Sequence, residues 1–198
     1  MAAVKPSRRR DRASTRTAII DAARSLFMDA GYARTTVTDI AARAHVAPQT
    51  VYWAFGSKAR LVTEIRDAWL AEAGTGERLR EVLAQLDPGR RLDAFATFIT
   101  HQWVTGSTAV AIQQDAMRVD PEVARDVAAI LETRAAALAQ VTRPLADRLR
   151  AGLTVDRAHD RLLALSMVDV YLELRGRGWT AEAYRDWLSE LLQTQLLG

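Results

Sequence analysis

The sequence predicts an all-α fold of roughly nine or ten helices. Apolar residues recur at spacings of three and four along most of the chain, as they do on one face of an α-helix. No stretch alternates apolar and polar residues for long enough to indicate a β-strand. Glycine and proline fall between the periodic segments, where they end one helix or begin the next. These observations indicate a helical protein without a sheet and without an internal repeat.

The composition is that of a folded protein of one or two domains. Of its 198 residues, 49% are hydrophobic and 26% are charged, so the chain can bury a core. It contains no cysteine, which excludes disulfides, thiolate catalysis and zinc sites built on cysteine. No apolar run approaches the roughly 20 residues that cross a bilayer, and no signal-peptide segment opens the chain. We therefore expect a soluble cytoplasmic protein without a membrane partner.

Positive charge is concentrated at the N-terminal end. Residues 1–60 hold 11 lysines and arginines against 4 acidic residues, a net charge of +7. Residues 61–198 carry a net charge of −4, and the whole chain carries +3. A basic segment of this kind is the electrostatic footprint of a partner with a phosphate backbone, the alternative being a solvated basic tail.

The first 14 residues are polar and basic, and we expect them to form a flexible arm. On DNA this arm could lie along phosphates or enter the minor groove, a hypothesis that rests on charge only. Residues 15–30 predict the first helix, which Gly31 ends. Its apolar stripe would brace the two short helices that follow.

Residues 35–61 read as two short helices across a tight turn, followed by the start of another helix. Thr36 can cap the first of them, with Asp39 three residues on, where an acid favours a helix N-terminus. His45 and Val46 form the turn, and Pro48 suits only the first turn of a new helix.

In the second short helix, Val51 and Phe55 share an inward face at a spacing of four. The side chains left to project are Gln49, Thr50, Tyr52 and Trp53. Gly56 stops this helix and Ser57 can cap the next one.

These residues resemble the TetR family of transcriptional regulators over about the first third of the chain. The matching positions are Ala22-Ala23, Leu26-Phe27, Gly31-Tyr32, Thr35 to Val37, Asp39 to Ala41, Thr50 to Tyr52, Phe55 and Ser57-Lys58. The turn departs from the family pattern, with Ala47 and Pro48-Gln49 where a capping serine and a glycine are frequent. The bases that are read therefore cannot be carried over from the family.

The resemblance implies an N-terminal three-helix helix-turn-helix head that binds double-stranded DNA. The residues that it places at the DNA are Thr36, Thr38, Pro48, Gln49, Thr50, Tyr52, Trp53 and Lys58. Glutamine can pair with an adenine edge, threonine can bond a base or a phosphate, and tyrosine and lysine commonly hold phosphates. Proline and tryptophan can contact thymine methyl groups or sugars. The alternative for Tyr52 and Trp53 is packing within the protein.

Periodic segments continue to the end of the chain. They predict helices at 58–73, 77–86, 92–106, 108–118, 121–151, 155–175 and 181–197. The Gly74-Thr75-Gly76 break is a turn, because no P-loop lysine follows it. The predicted organisation is a basic arm at 1–14, a DNA-binding domain at 15–60, and a helical ligand-binding and dimerisation domain at 61–198.

Residues 162–174 are apolar on more than one helical face, which predicts that this segment packs against two different surfaces. One is the core of this chain, and the other is a second copy. In the family the last two helices pair across a two-fold axis, so the resemblance implies a homodimer on a palindromic operator. The alternative is a buried central helix without a dimer.

The resemblance also implies that the large domain receives a small-molecule effector that loosens DNA. The candidate ligand-binding residues, which combine aromatic and scattered polar groups, are Phe98, His101, Gln102, Trp103, Gln113, Met117, Arg134, Met167 and Tyr171. Each could equally belong to an ordinary core. We further expect Asp169 to be a buried acid that needs a partner. The fourth helix would transmit the conformational shift that effector binding causes, through Leu61, Ile65 and Trp69.

Enzymatic chemistry has no support in the sequence. The three histidines lie far apart, and none has a histidine or glutamate at a spacing that makes a zinc pair on one helix. No nucleophile motif and no cofactor motif is present. We therefore expect a transcriptional regulator, usually a repressor in this family. A DNA-binding architectural protein without ligand is the alternative, and it would have a filled body rather than a cavity.

Overall fold

A computed structural model describes residues 8–198, with side chains from Arg12 onward. It contains ten α-helices and one 3₁₀ helix. The α-helices are α1 Arg8–Ala30, α2 Val37–Arg43, α3 Pro48–Phe55, α4 Lys58–Glu72, α5 Thr75–Ala84, α6 Pro88–Met117, α7 Pro121–Thr142, α8 Val155–Leu165, α9 Val168–Gly176 and α10 Ala181–Leu196. Over these residues the only strand-like feature is an isolated antiparallel bridge between Leu149 and Leu197. The all-α prediction is confirmed.

The chain divides into two compact units. Unit 1 comprises the described residues up to Ala68 together with Thr108–Val127, and unit 2 comprises Trp69–Ser107 and Ala128–Gly198. The fully buried side chains of unit 1 include Ile19, Ile40, Leu61 and Ile65. Those of unit 2 include Leu92, Phe95, Leu145, Leu162, Tyr184, Leu188 and Leu192. Three helices, α4, α6 and α7, contribute residues to both units.

Helix α1 begins earlier than the sequence predicts. It runs from Arg8, inside the segment that we expected to be a flexible arm. Residues 8–14 contain neither glycine nor proline, and arginine is a good helix former, so nothing stops the helix there. The remainder of the predicted arm, residues 1–7, lies outside the described residues.

Helix α6 is continuous where the sequence predicts two helices divided near Gly106. It runs unbroken from Pro88 to Met117. The glycine has a packing role, because a Cβ at this position would lie 2.1 Å from Cζ2 of Trp69. The Trp69 indole N–H also donates to the hydroxyl of Thr105 at 3.1 Å. Gly106 therefore admits the indole ring and does not end the helix.

Two predicted long helices are shorter than expected. Helix α7 ends at Thr142 rather than near residue 151, and a 3₁₀ helix, Arg143–Arg148, follows. Pro144 explains this end because it has no backbone N–H to continue the ladder. The predicted helix 155–175 breaks after Leu165, and Met167 is extended. Arg134 stabilises this break, since its Nη2 donates to the carbonyl and the hydroxyl oxygen of Ser166, both at 3.0 Å.

The other predicted bounds agree closely with the structure. Helices α3, α4 and α10 match within about two residues, which is within the ordinary uncertainty of helix ends. The Gly74 turn is present, with Gly74 at φ +61°, and α5 begins directly after it. Pro88 opens α6, four residues before the predicted helix start at residue 92.

Candidate functional site

Helix α3 presents one face outward and anchors the other. Val51 and Phe55 are 2% and 7% exposed, and they attach the helix to unit 1. On the opposite face Tyr52 is 49% exposed and Trp53 is 80% exposed. Pro48 and Gln49 are exposed as well, and Thr50 is half-buried. Large aromatic side chains on an open surface are unusual in a folded monomer, so this face is a candidate contact surface.

The turn before α3 is locally determined. Thr36 and Asp39 form the predicted capping box at the start of α2, with the Asp39 N–H donating to the Thr36 hydroxyl oxygen at 3.2 Å. The Thr36 N–H donates in return to Asp39 Oδ2 at 2.9 Å. His45 lies at φ +56° in the left-handed region, and the Val46 N–H then reaches the Ala41 carbonyl at 2.9 Å. These bonds close α2 and set the direction in which α3 leaves.

The capping box limits the hydrogen bonds that the Thr36 hydroxyl can form with DNA. Its hydroxyl donates to Asp39 Oδ2 at 2.6 Å, so its proton is already engaged. Bonds from the side chain and backbone of Thr36 hold the pKa of Asp39 below its ordinary value. Thr38, one position into the helix, is exposed. Contacts of both threonines with DNA stay predictions.

Arg16 of α1 holds α3 from behind. Its Nη1 donates to the Ala54 carbonyl at 2.8 Å, and its Nη2 lies 2.6 Å from Oε1 of Glu64 on α4. The guanidinium carbon lies 4.3 Å from the centre of the Phe55 ring. One side chain thus ties together three helices and satisfies a carbonyl in the last turn of α3.

Lys58, which the sequence places at the DNA, points into unit 1. Its ammonium donates to the carbonyls of Tyr32 and Thr35 at 2.9 and 3.0 Å. It also lies 3.9 Å from the centre of the Tyr32 ring. Burial lowers the pKa of Lys58, while the charge of Asp120 opposes that shift. Its internal bonds leave a single ammonium proton for any phosphate, and the DNA contact stays a prediction.

A set of polar contacts joins the α1–α4 region to the connection between α6 and α7 within unit 1. The Tyr32 N–H donates to Asp115 at 2.8 Å, and the Tyr32 hydroxyl donates to Asp120. Further bonds run from Ser57 to Glu122 at 3.1 Å and from Thr63 to Asp126 at 3.2 Å. Sequence reasoning did not find these contacts, because their partners lie more than 60 residues apart.

Two of the predicted ligand-binding residues make internal contacts in unit 2. The His101 ring donates through Nε2 to the Ala73 carbonyl at 3.2 Å. The Gln102 amide donates to the Thr75 hydroxyl at 2.8 Å. Both side chains hold α6 to the turn between α4 and α5. Their contact with a ligand stays a prediction.

Another part of the predicted set converges in unit 2. The guanidinium of Arg134 on α7 lies 5.8 Å from the ring centre of Trp103 on α6. Tyr171 of α9 meets Tyr184 of α10 edge to face, with ring centres 5.0 Å apart. Arg134 and Tyr184 interact electrostatically, which joins the two pairs. We call Trp103, Arg134, Tyr171 and Tyr184 the arginine–aromatic cluster. Tyr184 was not among the residues that the sequence predicted to bind a ligand.

The remaining predicted ligand residues are dispersed. Phe98 is buried in unit 2 and Met167 is half-buried there, whereas Gln113 and Met117 belong to unit 1 and Met117 is 39% exposed. Asp169 is exposed at the start of α9, so the expectation of a buried acid is wrong. The helix break at Ser166 turns this position toward solvent.

Unit 1 contains an open cleft of about 490 Å³ between the C-terminal end of α1 and α6. Its walls include Phe27, Gly31, Ile112 and Asp115. None of the predicted ligand-binding residues lines it.

Two further kinds of site are not found in the part of the chain that the structure describes. Within residues 8–198, no three histidine or acidic side chains are grouped closely enough to hold a metal ion. No helix in this range combines the length and apolar character that a membrane span requires.

Comparison with known proteins supports the helix-turn-helix class that the fold and the outward face of α3 define. The family model described as "Bacterial regulatory proteins, tetR family" matches residues 19–65. This N-terminal segment of the chain is similar to the TetR family.

Individual relatives agree with this placement. The chain is 40% identical over 74 residues to the probable regulator ArpR of Pseudomonas putida, covering 37% of this chain and 35% of that protein. It is 35% identical over 104 residues to the repressor KstR2 of Rhodococcus jostii, covering 52% of this chain and 50% of that protein. The matched segments thus span half or less of these relatives.

The fold similarity extends over nearly the whole chain. The crystal structure of NalD, the secondary repressor of the MexAB-OprM multidrug efflux pump in Pseudomonas aeruginosa, has a TM-score of 0.76 and 26% identity. The alignment covers 95% of this chain and 98% of NalD.

Proposed function

We propose that this protein is a cytoplasmic transcriptional repressor that binds a palindromic operator as a homodimer and releases it when a small molecule binds. The outward face of α3 carries this proposal. Helix α3 exposes Gln49, Tyr52 and Trp53 while Val51 and Phe55 fix it from behind, as a recognition helix in a major groove requires. Similarity to NalD and KstR2, both repressors, supports the sign of regulation.

The apolar surface of the last helices supports dimerisation. Leu172 of α9 is 40% exposed, and Leu163, Leu165, Leu174 and Leu191 of α8, α9 and α10 are only half-buried. A second copy packed on this surface would cover it. Two recognition helices related by one two-fold axis would then enter successive major grooves, with half-sites separated by roughly one helical turn or slightly more.

Release would follow from differential affinity. A ligand that prefers the conformation in which the two α3 helices are wrongly spaced lowers operator affinity by the coupling free energy, typically ~1–3 kcal/mol. Helices α4, α6 and α7 each contribute to both units and are covalent routes for such coupling.

The decisive experiment is selection of DNA fragments by the purified protein, followed by sequencing and fluorescence anisotropy on the enriched site. We expect a palindrome, and light scattering at micromolar concentration should give a dimer. Gln49→Ala should change the base preference, whereas Gln140→Ala, an exposed glutamine of α7, should not. A stable monomer, or enrichment of no sequence, would contradict the proposal. Specific binding that no small molecule alters would favour the architectural alternative.

A further inference from the structure

Among the described residues, three hydrogen-bond donors of the arginine–aromatic cluster have no acidic partner. They are the guanidinium of Arg134, the indole N–H of Trp103 and the hydroxyl of Tyr184, which belong to three different helices of unit 2. The cluster therefore lacks a negative charge beside Arg134 and acceptors for the Trp103 indole and the Tyr184 hydroxyl.

The guanidinium of Arg134 is the first part of the observation. Its hydrogen bonds in the described chain both leave from Nη2 and both reach Ser166. No carboxylate of the described residues forms an ion pair with it. Burial lowers the pKa of Arg134, and the nearby Tyr184 partly offsets this effect. Arg134 is half-buried, and a guanidinium withdrawn from solvent ordinarily has an anionic partner, because desolvating an isolated charge is costly.

The two aromatic donors are the second, independent part. Trp103 is 8% exposed and Tyr184 is 0% exposed. The Trp103 Nε1 atom and the Tyr184 hydroxyl oxygen are both buried, and neither has a hydrogen-bond partner among the described residues. Orphaned buried donors are rare in folded proteins, and a ligand group, an ion or a water molecule can complete their bonding.

The rings supply the apolar part of a binding site. Tyr184 packs against both Tyr171 and Trp187, with ring centres 5.0 and 5.9 Å apart, and Trp103 lies beside the guanidinium. Aromatic rings beside a guanidinium suit an anion with a flat apolar body. A single guanidinium matches one carboxylate, whose two oxygens can accept parallel bonds from it.

We propose that the effector of this protein is an organic monoanion, a carboxylate on a flat apolar body, and that Arg134, Trp103 and Tyr184 bind its carboxylate oxygens. This inference rests on the proposed effector-released repressor. A cationic ligand would meet the uncompensated positive charge of Arg134, and a ligand without acceptor oxygens would leave the indole N–H of Trp103 and the hydroxyl of Tyr184 unpaired.

The test uses 1-naphthoate and its uncharged analogue 1-naphthamide, with the full-length protein and isothermal titration calorimetry. We expect 1-naphthoate to bind at least about tenfold more tightly than the amide, since charge-assisted bonds are roughly twice as strong as neutral ones. Equal affinities, or no binding of 1-naphthoate at millimolar concentration, would overturn the proposal.

Variants assign the effect to the cluster. Arg134→Gln should remove the preference for the carboxylate, whereas Arg185→Gln removes a positive charge from the neighbouring residue on α10 and should retain it. Tyr184→Phe should weaken 1-naphthoate binding several-fold while the thermal midpoint stays unchanged or rises, since the lost hydroxyl has no partner. If Arg134→Gln does not fold, the proposal is still tested by two measurements. These are the affinities of the wild-type protein for 1-naphthoate and 1-naphthamide, and the affinity of Tyr184→Phe for 1-naphthoate. An unchanged affinity in Tyr184→Phe would remove this residue from the site.

Operator release is measured separately, so the two proposals can fail independently. Tight binding of 1-naphthoate without release from the selected operator would support the anion site and contradict the effector-released repressor. Specific DNA binding together with equal affinity for 1-naphthoate and 1-naphthamide would support the DNA-binding regulator and contradict the anion site.

Discussion

The Tyr32 hydroxyl donates a hydrogen bond to the carboxylate of Asp120, 88 positions further along the chain. Tyr32 is 2% exposed and follows α1 directly, and Asp120 also accepts the Glu122 N–H at 3.0 Å where α7 begins. The C-terminal end of α6 and the start of α7 thereby belong to one compact unit with the helix-turn-helix segment. The two short helices α2 and α3 bury little surface alone, so this additional packing stabilises their geometry.

Tyr32→Phe should lower the free energy of unfolding by about 1–2 kcal/mol at neutral pH, because it removes a hydrogen bond to a charged group. That hydrogen bond is the main reason why the pKa of Asp120 lies below its ordinary value. A lowered folded-state pKa stabilises the fold above the unfolded-state pKa and ceases to do so as the pH falls through the folded-state pKa. The difference between wild type and Tyr32→Phe should therefore shrink below about pH 4.

Urea unfolding at pH 7 and at pH 3.5 measures this effect. Tyr52→Phe is the control, since Tyr52 is exposed and should change stability at neither pH. A difference that grows on acidification would show that Asp120 is not the group responsible.

Trp53→Ala and Val51→Ala should separate binding from folding on the same helix. Trp53 is 80% exposed, so its removal should leave stability within about 0.5 kcal/mol while operator affinity drops about tenfold. Val51 is 2% exposed, and Val51→Ala should cost roughly 1–3 kcal/mol of stability. Anisotropy on the selected operator and thermal unfolding measure the two effects. A large stability loss in Trp53→Ala would indicate that the indole packs within the protein.

Gly106→Ala should destabilise unit 2 by about 1–3 kcal/mol, because the added methyl overlaps the Trp69 ring and forces it to move. Gly76→Ala is the matched control in α5. A Cβ there meets nothing within 4 Å, so alanine should be neutral or stabilising by about 0.5 kcal/mol. Chemical denaturation followed by tryptophan fluorescence distinguishes the two variants. Equal stability of both would mean that the ring has room to move.

Arg16→Met should lower stability by about 1 kcal/mol, since the Ala54 carbonyl and Glu64 lose a partner while the apolar stem is kept. The ion pair itself is partly exposed and contributes modestly. Arg60→Met is the control: Arg60 approaches the same Glu64 only at 3.7 Å and is 52% exposed. Its loss should cost less than about 0.5 kcal/mol. Thermal unfolding ranks the variants, and a larger effect for Arg60→Met would contradict the bracing role of Arg16.

Local signals predicted the helix-turn-helix well. The Thr36–Asp39 capping box, the start of α3 at Pro48 and its end at Gly56 depend on neighbours within a few residues, so the sequence displays them directly. The outward face of α3 followed from the spacing of Val51 and Phe55. The continuity of α6 did not, because a glycine reads as a break unless the ring that fills its space is known.

Three residues of the arginine–aromatic cluster were already in the predicted ligand-binding set, which stays a prediction. Aromatic and polar residues on α6 and α7 pointed to Trp103 and Arg134, which the structure brings together. Whether a donor has a partner is a property of distant neighbours, so the orphaned hydroxyl of Tyr184 could not be read from its helix. The prediction that Asp169 is buried was wrong for a related reason. Its burial was inferred from a continuous helix that Arg134 and Ser166 interrupt.

Residue order alone was sufficient for the helical class, the helix-turn-helix, its caps and the face that α3 exposes, since each depends on contacts over three or four residues. Packing between distant segments set the remainder: the unbroken α6, the break between α8 and α9, the internal position of Lys58, the Tyr32–Asp120 bond and the arginine–aromatic cluster. The physical reason is the distance along the chain over which each interaction acts. Periodicity and capping act along one helix, whereas a ring filling the space beside a glycine, or a guanidinium bonded to a distant carbonyl, exists only after the chain has folded.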